Sequence, residues 1–333
     1  MKITCCCFII LFFAQNIYSQ SIKICADSLH TSFRGLSVVN DKVVWVSGSN
    51  GTVGKSVDGG QTWDWIKVSH YEKTDFRDIE AFDENTAMIM GVSDPAYILR
   101  TTDGGKSWKL VYENKTKGIF LDAMDFWNEK NGIVIGDPMN GRFFLTRTYD
   151  GGKSWQNIPD QQRPFADSGE ACFASSGTNI RQLNKSEAVF VSGGLTSHFF
   201  NGNKITTLLP IMSGKESTGA NSIAVKNNKV MIVVGGDFLP KNISDSNCVI
   251  TKDGGKTWFL PKINPAGYRS CVEYLNKDYW ITCGLNGVDI TVNDGITWKN
   301  ISAQSFNVCR KAKKGNAVFL AGNGTVAKLD GHL

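Results

Sequence analysis

Ser56-Val57-Asp58-Gly59-Gly60-Gln61-Thr62-Trp63 comes back at 101–108, 148–155, 251–258 and, altered, at 291–298. Each copy reads Ser/Thr, any residue, Asp, Gly, Gly, any residue, Ser/Thr, Trp; the last has Asn293 and Asp294 in place of Asp and Gly. Every part suits a tight β-turn. The Asp side chain (Asp58, Asp103, Asp150, Asp253, with Asn293 as its substitute) accepts hydrogen bonds from turn amides. The glycines take positive φ without steric cost. The Trp (Trp63, Trp108, Trp155, Trp258, Trp298) is a large apolar anchor with one N–H to satisfy. One Asp-Gly-Gly proves little; five copies with the Trp in register mark an internal repeat.

A second periodicity does not depend on that phrase. Apolar, β-branched runs end in Gly seven times, at Gly48, Gly91, Gly136, Gly193, Gly235, Gly284 and Gly322. Their spacing of about 45 residues suits a blade of four antiparallel strands. Asn-Gly turns follow three of these runs, at Asn50, Asn286 and Asn323. No long stretch keeps a 3.6-residue period, so helices should be few. The sequence thus predicts an all-β fold: a seven-bladed β-propeller of four-stranded antiparallel blades. Blade 4, over about 168–209, has lost the phrase. The last blade stops at Asp330-Gly331, so Ser21–Ala26 is expected to supply its outer strand and close the ring.

Residues 1–19 read as a secretory signal, with Lys2 before an apolar stretch from Cys5 to Ala14 and a cut near Ser19 or Gln20. Residues 20–333 then form one propeller domain, exported to the periplasm, cell envelope or extracellular space. No other apolar run is long enough for a membrane helix, so no transmembrane segment is expected in the mature chain. The net charge of +5 comes from scattered lysines, which argues against a nucleic-acid partner. Six cysteines remain after the signal: Cys25, Cys172, Cys248, Cys271, Cys283 and Cys309. Cys271 and Cys283 fall on neighbouring strands and can pair, or all six are small buried hydrophobes. With four scattered His and no Cys-x-x-Cys, no metal site is expected, and no cofactor motif is present.

In a propeller the first strand of each blade lines the central channel. Counting back from each strand-ending Gly puts Arg34, Arg77, Asp122, Glu170, Asn221, Arg269 and Arg310 at one channel mouth, with Asp78, Glu80, Tyr268 and Glu273 beside them. Such a ring has two readings. Guanidiniums are fork donors suited to a carboxylate, a phosphate or a peptide C-terminus. Alternatively Arg34, Glu170, Arg77 and Asp122 pair with one another as internal struts.

The repeated phrase resembles the Asp-box, or bacterial neuraminidase (BNR) repeat, of sialidases and related propellers. The wider pattern resembles the photosystem II assembly/stability factor family. The resemblance rests on Phe33-Arg34-Gly35-Leu36 with Trp45-Val46-Ser47-Gly48, on Tyr268-Arg269-Ser270, and on Gly169-Glu170-Ala171 with Ala174-Ser175-Ser176-Gly177-Thr178. It covers about 21–333. It implies a seven-bladed propeller whose arginine-lined patch holds a protein partner. An exported, non-enzymatic interaction factor for a protein or peptide, such as a cell-envelope protein, is therefore expected. The alternative is a sialidase-like glycosidase or glycan-binding propeller, in which Arg34, Arg77 and Arg269 mimic an arginine triad, Tyr268 or Glu170 the nucleophile, and Asp122 the acid. The early Arg motif lacks the Pro of true sialidases. Nothing supports an oxidoreductase.

Overall fold

The computed structural model describes residues 20–202 and 205–331; the expected signal at 1–19 lies outside the described residues. Seven antiparallel sheets follow one another along the chain. Blade 1 is Phe33–Val38, Val44–Gly48, Thr52–Ser56 and Asp64–Lys67, paired in that order. The inner strands of the others are Phe76–Ala81, Leu121–Phe126, Ile180–Gln182, Thr218–Val225, Cys271–Asn276 and Val308–Lys311. Ser21–Ala26 pairs antiparallel with Thr325–Asp330 and completes blade 7. The ring is closed by the N-terminal strand, so blade 7 presents no bare third strand. Among the described residues the one helical turn is a 3-10 turn at Asp160–Gln162.

The repeated phrase does two jobs. Within its own blade it ties the outer turn to the inner hairpin: the first Gly donates to that hairpin's backbone, Gly59 N to Lys42 O at 2.9 Å and Gly104 N to Asn85 O at 2.9 Å. Asp58 closes the turn, its Oδ1 accepting from the amides of Gln61 (2.9 Å) and Thr62 (3.0 Å), its Oδ2 from the Thr62 hydroxyl (2.6 Å). Across the blade interface the second Gly and the Trp touch the preceding blade. Trp108 sits edge-on to Trp45 of blade 1 with centroids 6.5 Å apart. Trp155 meets Phe126 within its own blade, in the core shared with blade 2, and Trp258 meets Phe199 of blade 4. The core therefore lies between the blades, as apolar clusters built from the facing sides of neighbouring sheets.

The strand-ending glycines are backbone contacts. A Cβ on Gly48, Gly136, Gly235 or Gly284 would collide with a backbone carbonyl at the start of the same blade's inner strand (Ser32, Phe120, Gly219, Tyr268). Blade 4 departs from the expected boundaries. Its inner strand is Ile180–Gln182, and Glu170–Ala171 is a separate ribbon pairing with Gly193–Gly194 on the inner side of blade 5. Blade 5 keeps its outer strand only as the reciprocal pair Ile250–Phe259, at 2.9 and 3.0 Å.

Candidate peptide-binding site at the channel mouth

Four of the seven expected ring residues share one structural position. In blades 1, 2, 3 and 5 the inner strand slips by one residue at its start, and the bulged residue is Arg34, Arg77, Asp122 or Asn221. A bulge re-aims a side chain, here at the same end of the channel each time. The other three are corrected. In blade 6, Cys271 pairs with Cys283 one step before Gly284, so the bulge position belongs to Ser270. Arg269, one residue earlier, points the other way, fully buried and ion-paired with Asp289, with Nη1 donating to Asn286 Oδ1 at 2.6 Å. A one-residue offset sends a strand's side chain to the opposite face. In blade 7, Val308 pairs with Ala321, one step before Gly322, so Asn307 holds the position. Arg310 lies three residues on, at the opposite end. Glu170 sits on its separate ribbon, where it accepts from His198 Nδ1 at 3.0 Å and from the Ser192 hydroxyl.

The channel is not an open pore at the Arg34 end. The segment after Glu170, from Cys172 to Thr178, folds into it. Arg34 Nη1 donates to Ser175 O at 3.3 Å, and the Tyr268 hydroxyl donates to Asn221 Oδ1 at 2.8 Å. Gly177 lies against the Asp78 carboxyl, where a Cβ would not fit. Sequence reasoning did not foresee this plug; spacing could not show it, because the segment belongs to no strand.

Charge at this mouth is uneven. Among the described residues no carboxylate lies within ion-pair distance of Arg34, whose pKa is lowered by burial and by repulsion from Arg77. Arg77 pairs with Asp75 at 2.7 Å, stays 30% exposed, and covers the Phe120 ring. Asp122 is fully buried and its oxygens make no well-formed hydrogen bond; burial and the nearby Asp137 push it well above the usual carboxylate range. Among the described residues neither an Arg34–Glu170 nor an Arg77–Asp122 ion pair is formed, so the expected struts are not made. Apolar rings flank the arginines: Phe173 against Phe238 (6.1 Å), and Phe238 against Tyr268 (6.2 Å), with Leu239 74% exposed beside them. Sequence reasoning missed Phe173, Ser175 and Phe238, which lie in loops with no repeat partner.

The opposite end carries its own ring. Ser37, Glu80, Asp125, Arg181, Ala224, Glu273 and Arg310 occupy equivalent inner-strand positions around a cavity of about 260 Å³. Here charges are matched: Glu273 lies 3.5 Å from Arg181 and 3.7 Å from Arg310, and Lys313 reaches Glu80 at 2.6 Å. Glu80 and Glu273 thus stand away from Arg34, and Asp78 lies between the two ends. The three guanidiniums of a sialidase-like triad are not brought together, because Arg269 is locked onto Asp289.

No protein-family model matches this chain, and no curated protein matches it. Solved structures do. YCF48 bound to a D1 peptide superposes with TM-score 0.67 at 16% identity, over 95% of this chain and 96% of that one. YCF48 from Cyanidioschyzon merolae gives 0.64 at 15%, over 93% and 98%. A streptogramin B lyase gives 0.67 at 11%, over 94% and 98%. At these identities the likeness is one of fold, and the chain is a seven-bladed propeller with the architecture of YCF48.

Proposed function

We propose that this chain is an exported, non-enzymatic propeller that holds a protein or peptide partner of the cell envelope at the Arg34 mouth of its channel. One observation carries the reading: Arg34 and Arg77 lie close enough to repel one another, and among the described residues the one ion pair either makes is that of Arg77 with Asp75. The excess guanidinium sits beside Phe120, Phe173, Phe238 and exposed Leu239. A charged fork next to an apolar shelf suits a peptide that ends in a carboxylate after a bulky side chain. A structural neighbour, YCF48, has been captured with a peptide, which supports the peptide class. Export rests on residues 1–19. Among the described residues no helix is long and apolar enough to cross a membrane.

The test is binding of labelled peptides to the purified chain, with free-acid and amidated C-termini compared. Removing a buried, charge-assisted contact costs about 2 kcal/mol or more at an interface hot spot, roughly thirtyfold in affinity. Arg34→Ala with Arg77→Ala should weaken binding of free-acid peptides by about that factor, whereas Arg310→Ala should leave their binding unchanged. Equal binding by wild type and the double variant removes the mouth as the site. N-terminal sequencing of the chain from its own cells, starting near Gln20, tests export.

A further inference from the structure

Between blades 6 and 7 three sulfurs converge. Cys271 opens the inner strand of blade 6, Cys283 is its direct partner across the ladder, and Cys309 comes from the inner strand of blade 7. Their Sγ atoms lie within 4.8 Å of one another and all three residues are fully buried. The repeat does not require sulfur there. Gly35, Asp78, Ala123 and Ser222 occupy the position of Cys271 in other blades. Ser47, Met90, Ile135 and Val234 occupy that of Cys283, and Leu36, Ile79, Met124 and Ile223 that of Cys309. Cys172 and Cys248 are buried too, but neither belongs to this cluster. Three thiols from three positions in two blades are more than packing asks for.

One polar side chain reaches the cluster. The Thr178 hydroxyl donates toward Cys271 Sγ at 3.7 Å. Arg269 and Arg310 flank the group in sequence and both are buried or nearly so. The cluster contains no His, Asp or Glu, so a divalent zinc ion, which asks for four donors, would be left one short. Thiolates select soft cations.

We propose that Cys271, Cys283 and Cys309 form a three-coordinate thiolate site for copper(I). As each Cu–S bond forms, a thiol proton leaves to the buffer; copper enters already as Cu(I), from a small-molecule chelate, and no electron moves. The site then carries two net negative charges. Binding to the folded form alone also raises stability.

The full chain, isolated anaerobically with reductant, is titrated with the acetonitrile complex of Cu(I) against bathocuproine disulfonate. One copper per chain should be retained, with only sulfur neighbours in X-ray absorption and a higher melting temperature. Cys283→Ser and Cys309→Ser should each lose the copper, while Cys172→Ser keeps it. If the cluster variants do not fold by circular dichroism, the sulfur count on the wild type decides. Four outcomes overturn the proposal: no retained copper, nitrogen or oxygen neighbours, unchanged retention in a folded Cys283→Ser protein, or displacement of copper by equimolar zinc.

Discussion

At the scale of single residues, the second glycine of each phrase is where sequence and packing meet. Gly105 has φ of 87° and a Cβ there would lie 2.7 Å from Ile66 Cδ1 and 3.4 Å from the Trp45 ring. Left-handed backbone costs a non-glycine residue about 1–2 kcal/mol, and overpacking adds about 1–3. Gly105→Ala should therefore lower stability by about 2–5 kcal/mol in denaturant titration. Gly118, also at positive φ (82°), has open space around its Cβ; Gly118→Ala should cost about 1–2 kcal/mol, the backbone part alone. A similar loss at both positions would mean that the contact with the preceding blade is not what Gly105 is for.

At the scale of the element, the phrase is a turn held by a carboxylate and anchored by an indole. The Thr62 hydroxyl above all holds Asp58 down to about 2; Ser107 does the same for Asp103 and Thr257 for Asp253. A lowered carboxylate stabilises the fold above the unfolded value near 4 and loses that contribution as pH falls through about 2. Acid melts should thus steepen between about pH 4 and 2. Asp58→Asn, which copies the natural Asn293, should make that limb shallower while changing the neutral melt little. Trp108 is half-buried against Trp45, so Trp108→Ala should cost about 2–3 kcal/mol, somewhat less than the 3–5 typical of a fully buried aromatic. A negligible shift in its denaturation midpoint would show that the indole is not holding blade 2 to blade 1.

At the scale of the molecule, closure and the channel set the behaviour. Without Ser21–Ala26 the strand Thr325–Asp330 would bare its ladder edge. A chain beginning at residue 28 should melt lower than the chain beginning at residue 20 and aggregate, read by light scattering. The channel also buries carboxyls. Burial raises Asp78 to about 8 and Asp137 to about 6, and raises Asp122. A raised carboxyl stabilises the fold below the unfolded value near 4, and that contribution is lost as pH climbs through the folded value. Combined with the turn aspartates, the melting temperature should peak near pH 4–5 and decline towards pH 8. The decline should shrink in Asp78→Asn, and a flat profile from pH 5 to 8 in the wild type would show that Asp78 is already ionised.

The sequence by itself determined the blade count and the turn chemistry because both are local, and the closing strand because the last blade stops short of its outer strand and Ser21–Ala26 is left to fill that place. An Asp-Gly-Gly turn is bonded within eight residues, and a blade's hairpins within about 45. The shared positions of Arg34, Arg77, Asp122 and Asn221 were legible for the same reason. What the tertiary structure decided was register and insertion. A step of one residue at Gly284 gave Ser270 the place expected for Arg269, and a step of three moved Arg310 to the far end. An inserted ribbon took Glu170 out of the ring altogether. Spacing along a chain fixes which side chains can share a face only to within one residue, and in a strand one residue is the difference between the two faces. Only the packed ring shows which way Arg269 turns, that residues 172–178 fill the channel, and that three cysteines from two blades meet.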